Sequence, residues 1–222
     1  MPNKRTYKKK NGAKITKRIA KVEKDVKALQ KQGDMGCLDT TFSGTLVPNL
    51  TLVSLNNMSE GSGIGNREGR EIWIKSIEMR LRFDRNKHED EIPQFIRVML
   101  IRQNYPQSAT PAATDVLNTD SYMSLRPLDP TLLAKVTVLK DWTFAINPET
   151  DASGNVTYSG GSRKLLTYYR RFKGAGNRVI FQGGGTGTYG KGSLYLATMQ
   201  SDIAVTGQDN QINGYVRIRY VK

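Results

Sequence analysis

Residues 71–84 read EIWIKSIEMRLRFD. Ile72, Ile74, Ile77, Met79, Leu81 and Phe83 are interleaved with Lys75, Glu78, Arg80 and Arg82. Successive side chains of a strand point to opposite faces, so this alternation gives one apolar face and one charged face. The run Tyr215-Val216-Arg217-Ile218-Arg219-Tyr220 repeats the pattern. Outward from these two, further strands are predicted at about 40–54, 94–103, 134–146, 163–172, 177–182 and 192–199, with the last spanning 212–221. Glycine-rich turns and three long loops (55–70, 104–133, 147–162) separate them, and a short helix is predicted near Ala113–Thr119. Eight strands with one wet face each predict an all-β, antiparallel, two-sheet sandwich or jelly roll.

The charge is distributed unevenly. The chain of 222 residues carries a formal +14. Residues 1–34 hold twelve basic side chains: Lys4, Arg5, Lys8, Lys9, Lys10, Lys14, Lys17, Arg18, Lys21, Lys24, Lys27 and Lys31. Only Glu23, Asp25 and Asp34 oppose them, so this segment supplies +9 of the total. Such a balance calls for an anionic partner, nucleic acid before membrane. Residues 1–13 are nearly free of apolar groups and are expected to be disordered alone. Residues 14–32 are expected to be helical, and 35–222 to form the folded domain. A solvated tail or a nuclear-import address is the competing reading of the arm. No apolar stretch follows the early lysines as a signal peptide requires, and no run reaches the ~20 apolar residues of a membrane span. A single cysteine, Cys37, permits no internal disulfide, which suits synthesis inside a cell.

Catalytic chemistry is hard to find. In GGGTGTYGKGS (Gly183–Ser193), Gly185 to Lys191 spells G-x-x-x-x-G-K, but Gly192 stands where Ser or Thr would reach a metal. The loop also joins two strands and lacks a following helix, so it reads as an inter-strand turn. GSGIG at 61–65 fails for the same reason. One histidine, His88, and one cysteine cannot assemble a His/Cys metal set or a nucleophile–base pair. Glu89, Asp90 and Glu91, with Glu149 and Asp151, could offer oxygen ligands to calcium, although a solvated acidic loop is the simpler reading. No cofactor is expected and no enzyme is indicated.

Two stretches bring a family into view. GNREGREIWIKSIEMRLRF (65–83) carries an R-x-G turn before a long strand. RVMLIRQN (97–104) runs on to DVLNTDSYMSLRPLD (115–129) and KVTVLKD (135–141). In order and spacing these resemble the satellite tobacco necrosis virus coat protein family and related capsid proteins of small circular Rep-encoding single-stranded DNA viruses. The resemblance covers about 45–146 and implies an eight-stranded jelly roll, about 60 copies of which close into an icosahedral T=1 shell. A single-stranded RNA or DNA genome would be packaged inside, with no membrane. It also implies that Arg102 and, more weakly, Lys135 face that genome. Ser62 and Gly63 stand where the family has acidic residues before the R-x-G turn, so no calcium ligands carry over.

Within the arm, Ile15, Ile19, Val22, Val26 and Leu29 are spaced 4, 3, 4, 3, the seam of a heptad repeat. β-branched residues at both seam positions favour three strands over two. The seam therefore predicts a helix-trimer interface, with Lys17, Lys21, Lys24, Lys27 and Lys31 on the opposite face; an amphipathic helix packed on its own domain is the competing reading. Two heptads are marginal in isolation, so such a helix would depend on the assembly. A non-assembling cellular nucleic-acid-binding module with a β-sandwich fits the same composition.

Overall fold

The computed structural model describes residues 16, 18–23, 35–63, 65–85, 93–105, 110–119, 121–147, 163–173, 177–182, 190–201 and 210–222. Two compact units divide the chain, one of residues 1–35 with Val221 and one of residues 36–220 with Lys222. In the first, Thr16 and residues 18–23 are helical.

The second unit is a sandwich. Its strands are β1 (Met35–Thr45), β2 (Thr51–Ser54), β3 (Glu71–Asp84), β4 (Gln94–Gln103), β5 (Val136–Ile146), β6 (Arg163–Arg171), β7 (Arg178–Ile180), β8 (Leu194–Gln200) and β9 (Gln211–Val221). One sheet has the order β1-β9-β3-β6, with short β7 also on β3, and the other has the order β2-β8-β4-β5. With β7 set aside, the eight strands form two four-stranded sheets, β1-β9-β3-β6 and β2-β8-β4-β5, in the jelly-roll pattern.

The strand expected at 40–54 is two strands, one in each sheet. Pro48 lies between them and cannot donate to a ladder, so the chain turns there and crosses over. The long β3 shows what serving two partners requires. Glu71–Trp73 pair with β7 and Ser76–Asp84 with β6. At the changeover the inward set shifts from Ile72 and Ile74 to Ile77, Met79, Leu81 and Phe83.

Those inward side chains meet Ile96, Val98 and Leu100 of β4, Leu194 and Leu196 of β8, and Val216 and Ile218 of β9 in the central core. A second apolar layer lies on the far side of the β4–β8 sheet. There Met99, Ile101, Tyr195, Ala197 and Met199 pack with Val116 and Leu117. Both partners come from the segment 110–135, which includes the predicted helix, now Ala113–Val116. That segment also holds an unpredicted helix, Pro130–Lys135, capped by Asp129, whose carboxylate accepts from Thr131 N at 2.8 Å.

The R-x-G turn has a packing reason. Arg67 is fully buried, its guanidinium 4.3 Å from the centre of the Phe181 ring and donating to Gly69 O. Gly69 has φ +76°, a region costly for other residues. The glycine loop ends the same way. A Cβ on Gly190 would collide with Ile180 O, and Gly192, at φ +91°, donates to Gln103 O at 2.7 Å. These two glycines let the chain pass tightly between strands, and residues 183–189 of the loop lie outside the described residues.

Candidate nucleic-acid interface

Of the arm's predicted nucleic-acid contacts, Arg18 and Lys21 are described, and both are exposed. Lys4, Arg5, Lys8, Lys9, Lys10, Lys14, Lys17, Lys24, Lys27 and Lys31 lie outside the described residues. Of the predicted seam, Ile19 and Val22 are 54% and 60% exposed in the single chain, while Ile15, Val26 and Leu29 lie outside the description.

Arg102 and Lys135 are brought to one end of the β4–β5 pair. Arg102 is half-buried near the end of β4, in register with Thr137 of β5 and Leu194 of β8. Lys135 ends the helix that leads into β5, and its carbonyl accepts from Asn104 N at 2.8 Å. Asn104 further ties the strands by donating to Ala134 O and accepting from Thr137 Oγ1. Arg102 opens into a cleft of about 480 Å³ that is also lined by Tyr105, Arg178 and Lys191. Within it Arg178 is already matched, holding Glu71 through two hydrogen bonds. Lys135 is engaged as well, its Nζ 2.7 Å from Asp115 Oδ1. Asp115 in turn accepts from Ala112 N and so closes the first turn of its helix. Lys191, by contrast, is exposed at the cleft rim.

Sequence reasoning passed over a buried arginine with four hydrogen bonds. Arg97 in β4 is almost fully buried, and it holds Asp141 with Nε and Nη2 at 3.1 and 2.7 Å. Its Nη1 donates to the carbonyls of Tyr122 and Ser124, fastening the 121–129 loop to the sheet. Phe95 stacks on Tyr122 beside it. The signal was available: FIRVMLI is apolar on both faces, so an arginine inside it has to be paired.

The outer face of the β1-β9-β3-β6 sheet was read as charged but not as a candidate site. Six arginines stand on it: Arg80, Arg82, Arg163, Arg171, Arg217 and Arg219. Three carboxylates answer them. Glu78 meets Arg80 at 3.0 Å and Arg219 at 3.5 Å, Asp84 meets Arg82 at 2.8 Å and Arg163 at 3.3 Å, and Asp39 clasps Arg217 at 2.7 and 2.6 Å. Those hydrogen bonds hold the Asp39 carboxyl below the usual carboxylate range. Burial and the nearby Asp39 charge push the Cys37 thiol up.

Among the described residues no group of three or more His, Cys, Asp or Glu is placed to hold a metal ion. His88, Glu89, Asp90, Glu91, Glu149 and Asp151 lie outside the described residues. Among the described residues no helix is long and apolar enough to cross a membrane.

Known proteins give the arrangement a context. No curated protein matches the chain by sequence. Among solved structures, a chain of desmodium yellow mottle tymovirus shares 11% identity at a TM-score of 0.38, covering 83% of this chain and 80% of that one. A structure of the Gx strain of infectious bursal disease virus shares 12% at 0.30, covering 83% of this chain and 32% of that one. The jelly-roll assignment rests on the strand order above and not on these overlaps. The family described as satellite tobacco necrosis virus coat protein matches residues 3–179, a span that takes in the arm and β1 to β6, and the chain belongs to that family of viral coat proteins.

Proposed function

We propose that copies of this chain, sixty to a T=1 icosahedral shell, enclose a single-stranded genome, with the arm's lysines and arginines on its phosphates. As a coat protein it is a structural component of the virion and not an enzyme. The observation that carries the packaging role is the arm itself: +9 within 34 residues, on a helix whose described apolar positions are uncovered. Apolar positions would gather three helices, and the basic face would meet the strand. Before shells close, the chain would reside in the host cytoplasm or nucleus.

Sixty such arms carry about 540 positive charges, which suits a strand on the order of one to two thousand nucleotides, with counterions supplying the rest. Lysine–phosphate contacts read no sequence, so particles made in a foreign host should fill with that host's RNA. Two variants test the roles of the two helix faces. Ile19→Asp puts a carboxylate where an apolar knob belongs and should abolish closed particles. Lys24→Asp should leave assembly intact and reduce the nucleic acid carried. Deleting residues 1–13 should flatten the salt dependence of binding while the folded domain persists. Closed shells that stay empty at low salt despite an intact arm would overturn the packaging role, and digestion of the contents by RNase or by DNase names the genome.

A further inference from the structure

The two sheets treat their outer faces differently. The outer face of the β2-β8-β4-β5 sheet is packed against by Ala113, Val116, Leu117 and Tyr122, whereas Tyr169 and Tyr215 on the outer face of the other sheet are 59% and 64% exposed. Tyr169 stands opposite Glu78 in the β3–β6 ladder. Two shallow clefts of about 390 and 370 Å³ flank the ridge formed by Glu78 and Arg80. Tyr215 and Arg217 line the first, and Tyr169 and Leu165 line the second. Each side of the ridge thus offers an aromatic ring beside a shared guanidinium.

We infer that this open sheet face is a second nucleic-acid site, binding a single strand with bases stacked on Tyr169 and Tyr215 and a phosphate held by Arg80. It extends the packaging reading and rests on it. Single-strand platforms combine these parts: sequence-tolerant stacking on aromatic rings and cations that follow the backbone. Charge selects the occupant. Six arginines against three carboxylates leave the face positive, so the +9 arm is a poor cover for it, and so is the same face of a second copy. A polyanion is the complementary ligand. The carboxylates have a use too, since Glu78 bonds Arg80 at 3.0 Å and orients it on the ridge between the two rings.

The test uses the full-length chain and a short oligo-deoxyuridylate carrying 5-bromouracil, which on irradiation forms adducts with aromatic side chains stacked on it. Adducts are expected on the peptides containing Tyr169 and Tyr215. Replacing both tyrosines by Ala should weaken binding by about tenfold per ring, and replacing them by Phe should restore it. Arg80→Ala should lower the salt slope by about one phosphate contact. Adducts confined to residues 1–34, with affinity unchanged in the double Ala variant, would overturn this site and leave the arm's role standing. Absence of binding anywhere would take down both. A double Ala variant that binds normally but no longer associates with its copies would make the face a coat contact, which also overturns the inference.

Discussion

Arg97 and Arg80 are both strand arginines with a carboxylate partner, yet they sit in opposite worlds. Arg97 lies under the 110–135 roof, with four hydrogen bonds that close the gap between sheet and loop. Arg80 lies on the bare face, largely in water, with one carboxylate beside it. The first is a structural clamp, because a buried charge without partners would be very costly. The second remains available to a ligand, because a solvated ion pair is weak and easily exchanged. One sheet uses its polar groups to hold its own chain, and the other keeps them for something outside.

The sharpest way to break this contrast is Arg97→Ala. It strips Asp141 of both donors and leaves the Tyr122 and Ser124 carbonyls unpaired, at a cost of about 3 kcal/mol. Urea unfolding should show a lower midpoint with an unchanged slope. A neutral result would mean that the roof is held by its apolar contacts alone. A step down in size is Tyr195→Phe, which removes the hydroxyl that donates to Gln103 Oε1 at 2.8 Å beneath the same roof. The loss should be about 1–2 kcal/mol, read by the same unfolding curve. On the bare face, Arg80→Ala and Arg82→Ala should each change stability by less than about 0.5 kcal/mol. If Arg80→Ala proved as costly as Arg97→Ala, the two faces would not differ in the way their burial indicates.

How much of this could be read from the chain follows from which interactions are local. The alternation in 71–84 and 215–220 shows directly because it records a single strand's two faces. The end of the first strand was hidden by the β-branched and apolar residues on either side of Pro48, Thr45-Leu46-Val47 and Leu50-Thr51-Leu52-Val53. The helix Pro130–Lys135 did leave a mark, Asp129 followed by Pro130, a cap and a first-turn proline hidden inside what reads as a loop. The charged face of 71–84 was legible as charged, but not as bare. Whether a face is roofed depends on where residues 110–135 go, and no periodicity within the strand records that. The arm's charge was fully legible, since it is compositional.

The smallest expected effect concerns acid. Asp39 is held ionised by two hydrogen bonds from Arg217, and Arg219 and the Cys37 thiol lie close by. Its folded carboxyl therefore titrates below its unfolded value of about 3.9. For a depressed acid, the stabilisation is present above the unfolded value and is lost as pH falls through the folded one. The pair joins β1 to β9 at the exposed face, so salt and solvent screen it and its contribution is small. Wild type should exceed Asp39→Asn slightly in stability at pH 7, and the two should converge as pH falls through the depressed folded value of Asp39. Asp129, which caps the helix Pro130–Lys135 and is also depressed, loses its own stabilisation over the same acid range in both proteins and cancels from the comparison. A gap between the two urea midpoints that persists unchanged into acid would show that the amide side chain harms the strand pairing itself. In that case the ion pair on the bare face would be part of the fold, as Arg97 is, and not a weak and exchangeable contact.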